Sequence, residues 1–141
     1  MAADVDTLLR AAGLRATSAR RRVLAWLADH PHATADEVGR GVRAEHGPVS
    51  TQAVYDVLRA GVDVGLVHRI DLDGHPARFE SRTDDHHHLV CRRCGQVTDV
   101  DGVVGAAACR DTPSRAWLAP DSVEVTFWGT CSSCRGARRA A

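Results

Sequence analysis

Four of the five cysteines in this 141-residue chain fall in two pairs of identical spacing, Cys91-Arg92-Arg93-Cys94 and Cys131-Ser132-Ser133-Cys134. Two such pairs supply four thiolates, the donor number and softness that tetrahedral structural Zn²⁺ takes. The 36 residues between the pairs exceed the loop of a compact ribbon, so one ion would tie the start of a C-terminal sheet to its last strand. A redox dithiol is the alternative, but no βαβ pattern of the thioredoxin kind surrounds either pair. Cys109 is left over and reads first as a packing residue, with a redox or metal role as its other option.

Immediately before Cys91 stands Asp85-His86-His87-His88. On a strand, alternation points His86 and His88 to one face and His87 to the other. Two imidazoles on one face form half of a first-row transition-metal site. Glu80 and Asp99, on neighbouring predicted strands, are carboxylates able to complete it. A solvated polar strand would use the same residues, and the cluster by itself does not decide between them.

Composition restricts what these groups can serve. Net charge is zero, with 18 basic residues, all arginine, against 18 acidic ones. The chain thus lacks the overall basic footprint of many phosphate binders, and any case for nucleic acid must rest on local pattern. No run of 18 apolar residues occurs and the first residues are acidic, so neither a membrane span nor a signal peptide is expected. The expected location is the cytoplasm, where paired cysteines more often hold metal than form disulfides.

The elements that must carry these groups follow from period and caps. Val5, Leu8, Leu9 and Ala12 recur at helical spacing before Gly13. Thr17 or Ser18 caps a second helix with Val23, Leu24, Trp26 and Leu27 on one side, broken by His30-Pro31-His32. Thr34 with Glu37 forms a capping-box pattern that opens a third helix. After a loop, Ser50 caps a fourth, carrying Val54, Val57 and Leu58 inward and Tyr55 and Arg59 outward. The last two helices read as helix-turn-helix, and residues 66–70, a turn at 71–74 and a strand at 77–80 read as its wing. Beyond Arg82 the chain turns β-rich: strands at 86–91, 96–100 and 122–128, a helix or helical turn near 101–110, an uncertain loop at 111–120, and a basic tail at 135–139 expected to be disordered. The expected class is α+β, with a winged-helix DNA-binding domain and hinge at 1–82 and a small α/β domain at 83–141.

Taken together, these motifs resemble the ferric uptake regulator family. The matching pieces are Gly13-Leu14-Arg15-Ala16-Thr17, His32-Ala33-Thr34-Ala35-Asp36-Glu37, Ser50 to Leu58 with Val54-Tyr55, Ala77-Arg78-Phe79-Glu80, His86 to Cys94, and Trp128-Gly129 running into Cys131 and Cys134. The stretch from His86 to Asp101 and the Trp128-Gly129 ending look most like actinobacterial iron- and peroxide-responsive members associated with catalase genes. The resemblance implies a homodimer joined through the second domain, a constitutive zinc on Cys91, Cys94, Cys131 and Cys134, and a regulatory Fe²⁺ or Mn²⁺ on His32, Glu80, His86, His88 and Asp99. One ion ligated from both halves would act as a switch. A third metal site of some members is not expected, because Ala106 and Val123 stand at its positions. His87, Asp101 and Glu124 remain as weak binders at most.

The resemblance also implies a repressor that reads AT-rich inverted-repeat operators. Ser50, Thr51, Gln52, Tyr55 and Arg59 would face the major groove, Arg15 the minor groove, and residues 20–22 and Arg69 the phosphates. Signal identity stays open at this level: peroxide through metal-catalysed oxidation of a histidine ligand, simple iron occupancy, or zinc uptake. Outside the family, a hydrolytic or redox metalloenzyme lacks a nucleophile, oxyanion device or general-base motif. A zinc-ribbon interaction module without a sensing site is the remaining rival.

Overall fold

The structure, a computed structural model, describes residues 4–102, 117 and 123–139. Its contacts divide the chain into two units, Met1–Thr83 and Asp84–Ala141. The first unit runs α1 (Val5–Ala11), α2 (Ser18–Asp29), β1 (Ala33–Thr34), α3 (Ala35–Glu45), α4 (Thr51–Asp63), β2 (His68–Ile70) and β3 (Arg78–Glu80). The caps do what their residue types suggest. Thr17 accepts from the Arg20 N–H, Ser50 from the Ala53 N–H, and Thr34 and Glu37 close both halves of a capping box, satisfying orphan donors at three helix starts. Leu9, Val23, Leu27, Val38, Val42, Val54 and Leu58 are essentially excluded from solvent and form one core under the helices.

The sheet of this unit has the order β1-β3-β2, all antiparallel. The wing is broader than the expected turn at 71–74, because Ile70 pairs with Arg78 and seven residues link the strands. β1 was not anticipated: Ala33 and Thr34 pair with Phe79 and Arg78. Gly41 sits on α3 where a Cβ would overlap the indole of Trp26. Gly41→Ala should therefore destabilise this unit: overpacking costs about 1–3 kcal/mol and exceeds the roughly 1 kcal/mol gained in helix propensity. Thermal melts followed by circular dichroism check this, and a raised melting temperature would show that the indole yields freely.

The second unit holds β4 (His87–Cys91), β5 (Val97–Val100), β6 (Thr126–Gly129) and α5 (Ser132–Arg139). β4 is central, antiparallel to β5 and parallel to β6, with Leu89 opposite Phe127 and Cys91 opposite Gly129. Strand β6 starts at Thr126, later than expected, although Val125 already offers its carbonyl to His88 N–H. The tail expected to be disordered is the end of α5. The helix opens directly on the second cysteine pair, with the Arg135 N–H donating to the Cys131 carbonyl. The expected helix beyond Gly102, the loop at 111–120 apart from Trp117, Ala106 and Cys109 lie outside the described residues.

Candidate metal centres

The two cysteine pairs, on opposite sides of the second unit's sequence, meet. Parallel pairing of β4 with β6 sets Cys91 beside Gly129, and the Cys131 N–H donates to Cys91 Sγ at 3.3 Å. Cys94 Sγ lies 3.9 Å from Cys131 Sγ, and the four sulfurs are all within 4.8 Å of one another. A tetrahedron of Zn–S bonds of about 2.3 Å places its sulfurs roughly 3.8 Å apart, so the donor set fits zinc. Cys131 and Cys134 are three apart at the start of α5, which puts them on one face of its first turn. Backbone N–H groups, first that of Cys131 and then that of Cys94, draw the Cys91 thiol down to about 6, whereas Cys134 is pushed up to about 12, first by its hydrogen bond with the Cys131 side chain. Zinc takes thiolates rather than thiols, so its uptake releases protons and weakens as pH falls.

Just before Cys91 in the same unit, a nitrogen and oxygen set forms. His86, His87 and His88 are all buried. His86 donates its Nδ1–H to the Asp84 carbonyl at 2.7 Å, which leaves Nε2 as the nitrogen facing Asp99 Oδ1 at 3.5 Å. This is the backbone bond that fixes the tautomer of a ligating histidine. His88 Nε2 lies 3.4 Å from the same Asp99 oxygen, and the two imidazoles meet edge to face with centroids 4.7 Å apart. His88 pairs with Asp99 in the β4–β5 ladder, which is what brings them together. Glu124 reaches the other nitrogen of His88 at 3.3 Å. His87 points to the opposite face, where Nδ1 accepts the Val125 N–H at 3.0 Å. It therefore ties down the approach to β6.

In the first unit, His32 Nε2 lies 3.0 Å from Glu80 Oε2, and the Glu80 side chain is wholly buried. His32 adopts φ of +61°, the left-handed region that a non-glycine residue rarely enters. Its carbonyl accepts a 2.8 Å bond from Arg78, which also contacts Glu37. The strained backbone turns the imidazole toward β3. A residue overlooked in the sequence joins this pair: His68 Nδ1 is 3.0 Å from Glu80 Oε1. The β2–β3 register, which sets His68 opposite Glu80, was the signal that could have found it.

The expected DNA-facing residues lie on the surface of the first unit. Arg15, Ser50, Thr51, Gln52, Tyr55 and Arg59 are all exposed, Tyr55 by 46%. Ser50 also spends its hydroxyl on the helix cap, and Gln52 donates to Asp56 at 2.9 Å. The arginines expected to touch phosphate have partners in the chain. Arg21 forms a two-pronged pair with Asp6 at 2.6 and 3.0 Å, Arg22 donates to the Pro48 carbonyl, Arg20 to that of Arg15, and Arg69 to Asp71. The Arg21–Asp6 pair holds α1 against α2.

The sequence pattern of the Ferric uptake regulator family matches residues 11–104. Transcriptional regulator FurA of Mycobacterium tuberculosis is 46% identical over 132 residues, 93% of this chain and 90% of that protein. Peroxide-responsive repressor PerR of Staphylococcus aureus is 34% identical over 92 residues, 64% of this chain and 62% of its own. Among solved structures, the ferric uptake regulator of Pseudomonas aeruginosa with manganese superposes with a TM-score of 0.77 at 26% identity, covering 91% of this chain and 98% of that one. The chain belongs to the ferric uptake regulator family, and with it to the metal-responsive transcriptional regulators.

Proposed function

We propose that the protein is a cytoplasmic, homodimeric repressor whose grip on AT-rich inverted-repeat operators depends on Fe²⁺ or Mn²⁺, with zinc held permanently on Cys91, Cys94, Cys131 and Cys134. The observation that carries this reading is the separation of two chemistries. An all-sulfur cluster suits zinc, while His32 and Glu80 in one unit and His86, His88 and Asp99 in the other offer only nitrogen and oxygen, the donors that suit Fe²⁺ and Mn²⁺. One ion drawing ligands from both units would favour one arrangement of the reading half and the sheet half, and binding energy would then bias DNA affinity. Residues 1–82 read DNA and 83–141 dimerise in this account. Leu89 and Phe127, paired across β4 and β6 and exposed by 48% and 40%, give the second unit an apolar surface for a second copy. Val97, on β5, is buried in the same unit.

The test is fluorescence anisotropy on an AT-rich inverted repeat with zinc-loaded protein, with and without Mn²⁺. Mn²⁺ should tighten binding by about 5–150-fold, the usual span of allosteric coupling. Replacing His86 and His88 together by alanine should abolish that gain and leave zinc in place. Equal affinity with and without metal in the natural protein would reject the reading and favour a zinc-ribbon module. Peroxide is the proposed signal, since Asp99 stands where it resembles the peroxide-responsive members and PerR is among the relatives.

A further inference from the structure

In the first unit, His68 and His32 both touch the buried carboxylate of Glu80. The contact is built into the hairpin: β2 and β3 place the two residues directly opposite, and alternation turns Arg69 outward to Asp71 while His68 turns in. The two oxygens of Glu80 are thereby assigned, Oε1 to His68 Nδ1 and Oε2 to His32 Nε2, each at 3.0 Å. We infer that His68 is a positioning residue for the regulatory metal: its Nδ1–H donates to Oε1 and holds the carboxylate plane with Oε2 turned toward His32. The inference rests on Glu80 and His32 being regulatory ligands.

Two consequences follow from the chemistry. A buried carboxylate needs donors to remain ionised, and hydrogen bonds to ligating groups typically change metal affinity by about 10–100-fold. A carboxylate engaged at one oxygen also gives one ligand rather than two. That favours compact six-coordinate Mn²⁺ or Fe²⁺ over Ca²⁺, which tolerates bidentate carboxylates and higher coordination.

Mn²⁺ titration of the full-length, zinc-loaded protein, followed by the electron paramagnetic resonance of free Mn²⁺, tests this on three variants. Glu80→Gln should weaken Mn²⁺ binding, and His68→Ala should weaken it about 10–100-fold and narrow the preference for Mn²⁺ over Ca²⁺. His68→Asn, whose amide N–H replaces Nδ1–H, should recover most of the affinity. Zinc content and melting temperature should be unchanged in His68→Asn, so that a fold defect in the alanine variant leaves the comparison intact. If Glu80→Gln weakens binding but His68→Ala does not, the role of His68 is wrong while the ligand reading stands. If His68→Asn binds as poorly as His68→Ala, positioning through the N–H is wrong. Unchanged binding in Glu80→Gln would overturn the ligand reading itself.

Discussion

Cys91→Ser is expected to empty the sulfur cluster of zinc and unfold residues 84–141, while the helical unit keeps its fold. Structural zinc in small domains contributes about 10–16 kcal/mol near neutral pH, as much as or more than the roughly 5–15 kcal/mol that holds an ordinary domain together. The second unit has little to set against that loss. Its buried apolar residues among those described are Val90, Cys91 and Val97, whereas the first unit's core is assembled entirely from residues before position 80. Cys91 is the most damaging choice because it is buried, receives the Cys131 N–H and is the thiol brought down to about 6. Metal analysis should show less than stoichiometric zinc, and hydrogen exchange should lose protection on β4 to β6 alone. Retention of zinc and of β4 protection would show that three sulfurs suffice or that the cluster is not a zinc site.

Low-dose hydrogen peroxide should release the iron-loaded protein from its operator and leave the manganese-loaded protein bound, a difference of about 5–150-fold in affinity. His32, Glu80, His86, His88 and Asp99 would hold the iron, and iron in such a nitrogen and oxygen shell would supply one-electron chemistry toward peroxide. The imidazoles of His32, His86 and His88 are then the nearest oxidisable groups in the proposed shell. An imidazole oxidised there would gain one oxygen at a ring carbon, and that carbon would lose its one hydrogen. The net change is one peroxide consumed and one water released. His86 is oriented for this role, since its Nδ1–H is held by the Asp84 carbonyl and its Nε2 faces Asp99. An oxidised ring is a poorer ligand, and the metal-dependent gain in DNA affinity goes with it. Peptide mass spectrometry should find the added oxygen on the peptides holding His32 or residues 86–88, with zinc retained. Equal resistance of the two metal forms would leave iron occupancy as the signal.

Local signals were legible and long-range ones were less so. Thr17, Thr34 with Glu37, and Ser50 announced three helix starts because a cap is an interaction between residues three apart. The alternation of His86, His87 and His88 survived intact, since a strand's period is local too. β1 escaped notice because two residues form no pattern, and only Phe79 and Arg78, 44 or more positions away, make them a strand. His68 escaped because the turn at 71–74 suggested a tight hairpin, whereas the seven-residue link shifts the register and delivers Glu80 opposite it. The end of α5 was mistaken for disorder on charge alone. Its first turn is organised by Cys131 and Cys134, whose partners lie far back in the chain.

The parallel pairing of β4 with β6 also dictates an order in time. Thirty-four residues separate Cys91 from Thr126, so a ribosome adding about 5–20 residues per second finishes β4 roughly 2–7 s before its partner strand exists. By then every residue of the first unit's core has been made. The nascent chain thus has a finished helical half while β4 still offers an open edge and the thiols of Cys91 and Cys94 await Cys131 and Cys134. Open edges and unpaired thiols are where young chains find wrong partners. Zinc starvation or oxidant during translation should therefore harm newly made protein far more than the mature pool, and a pulse-chase experiment would resolve the two populations.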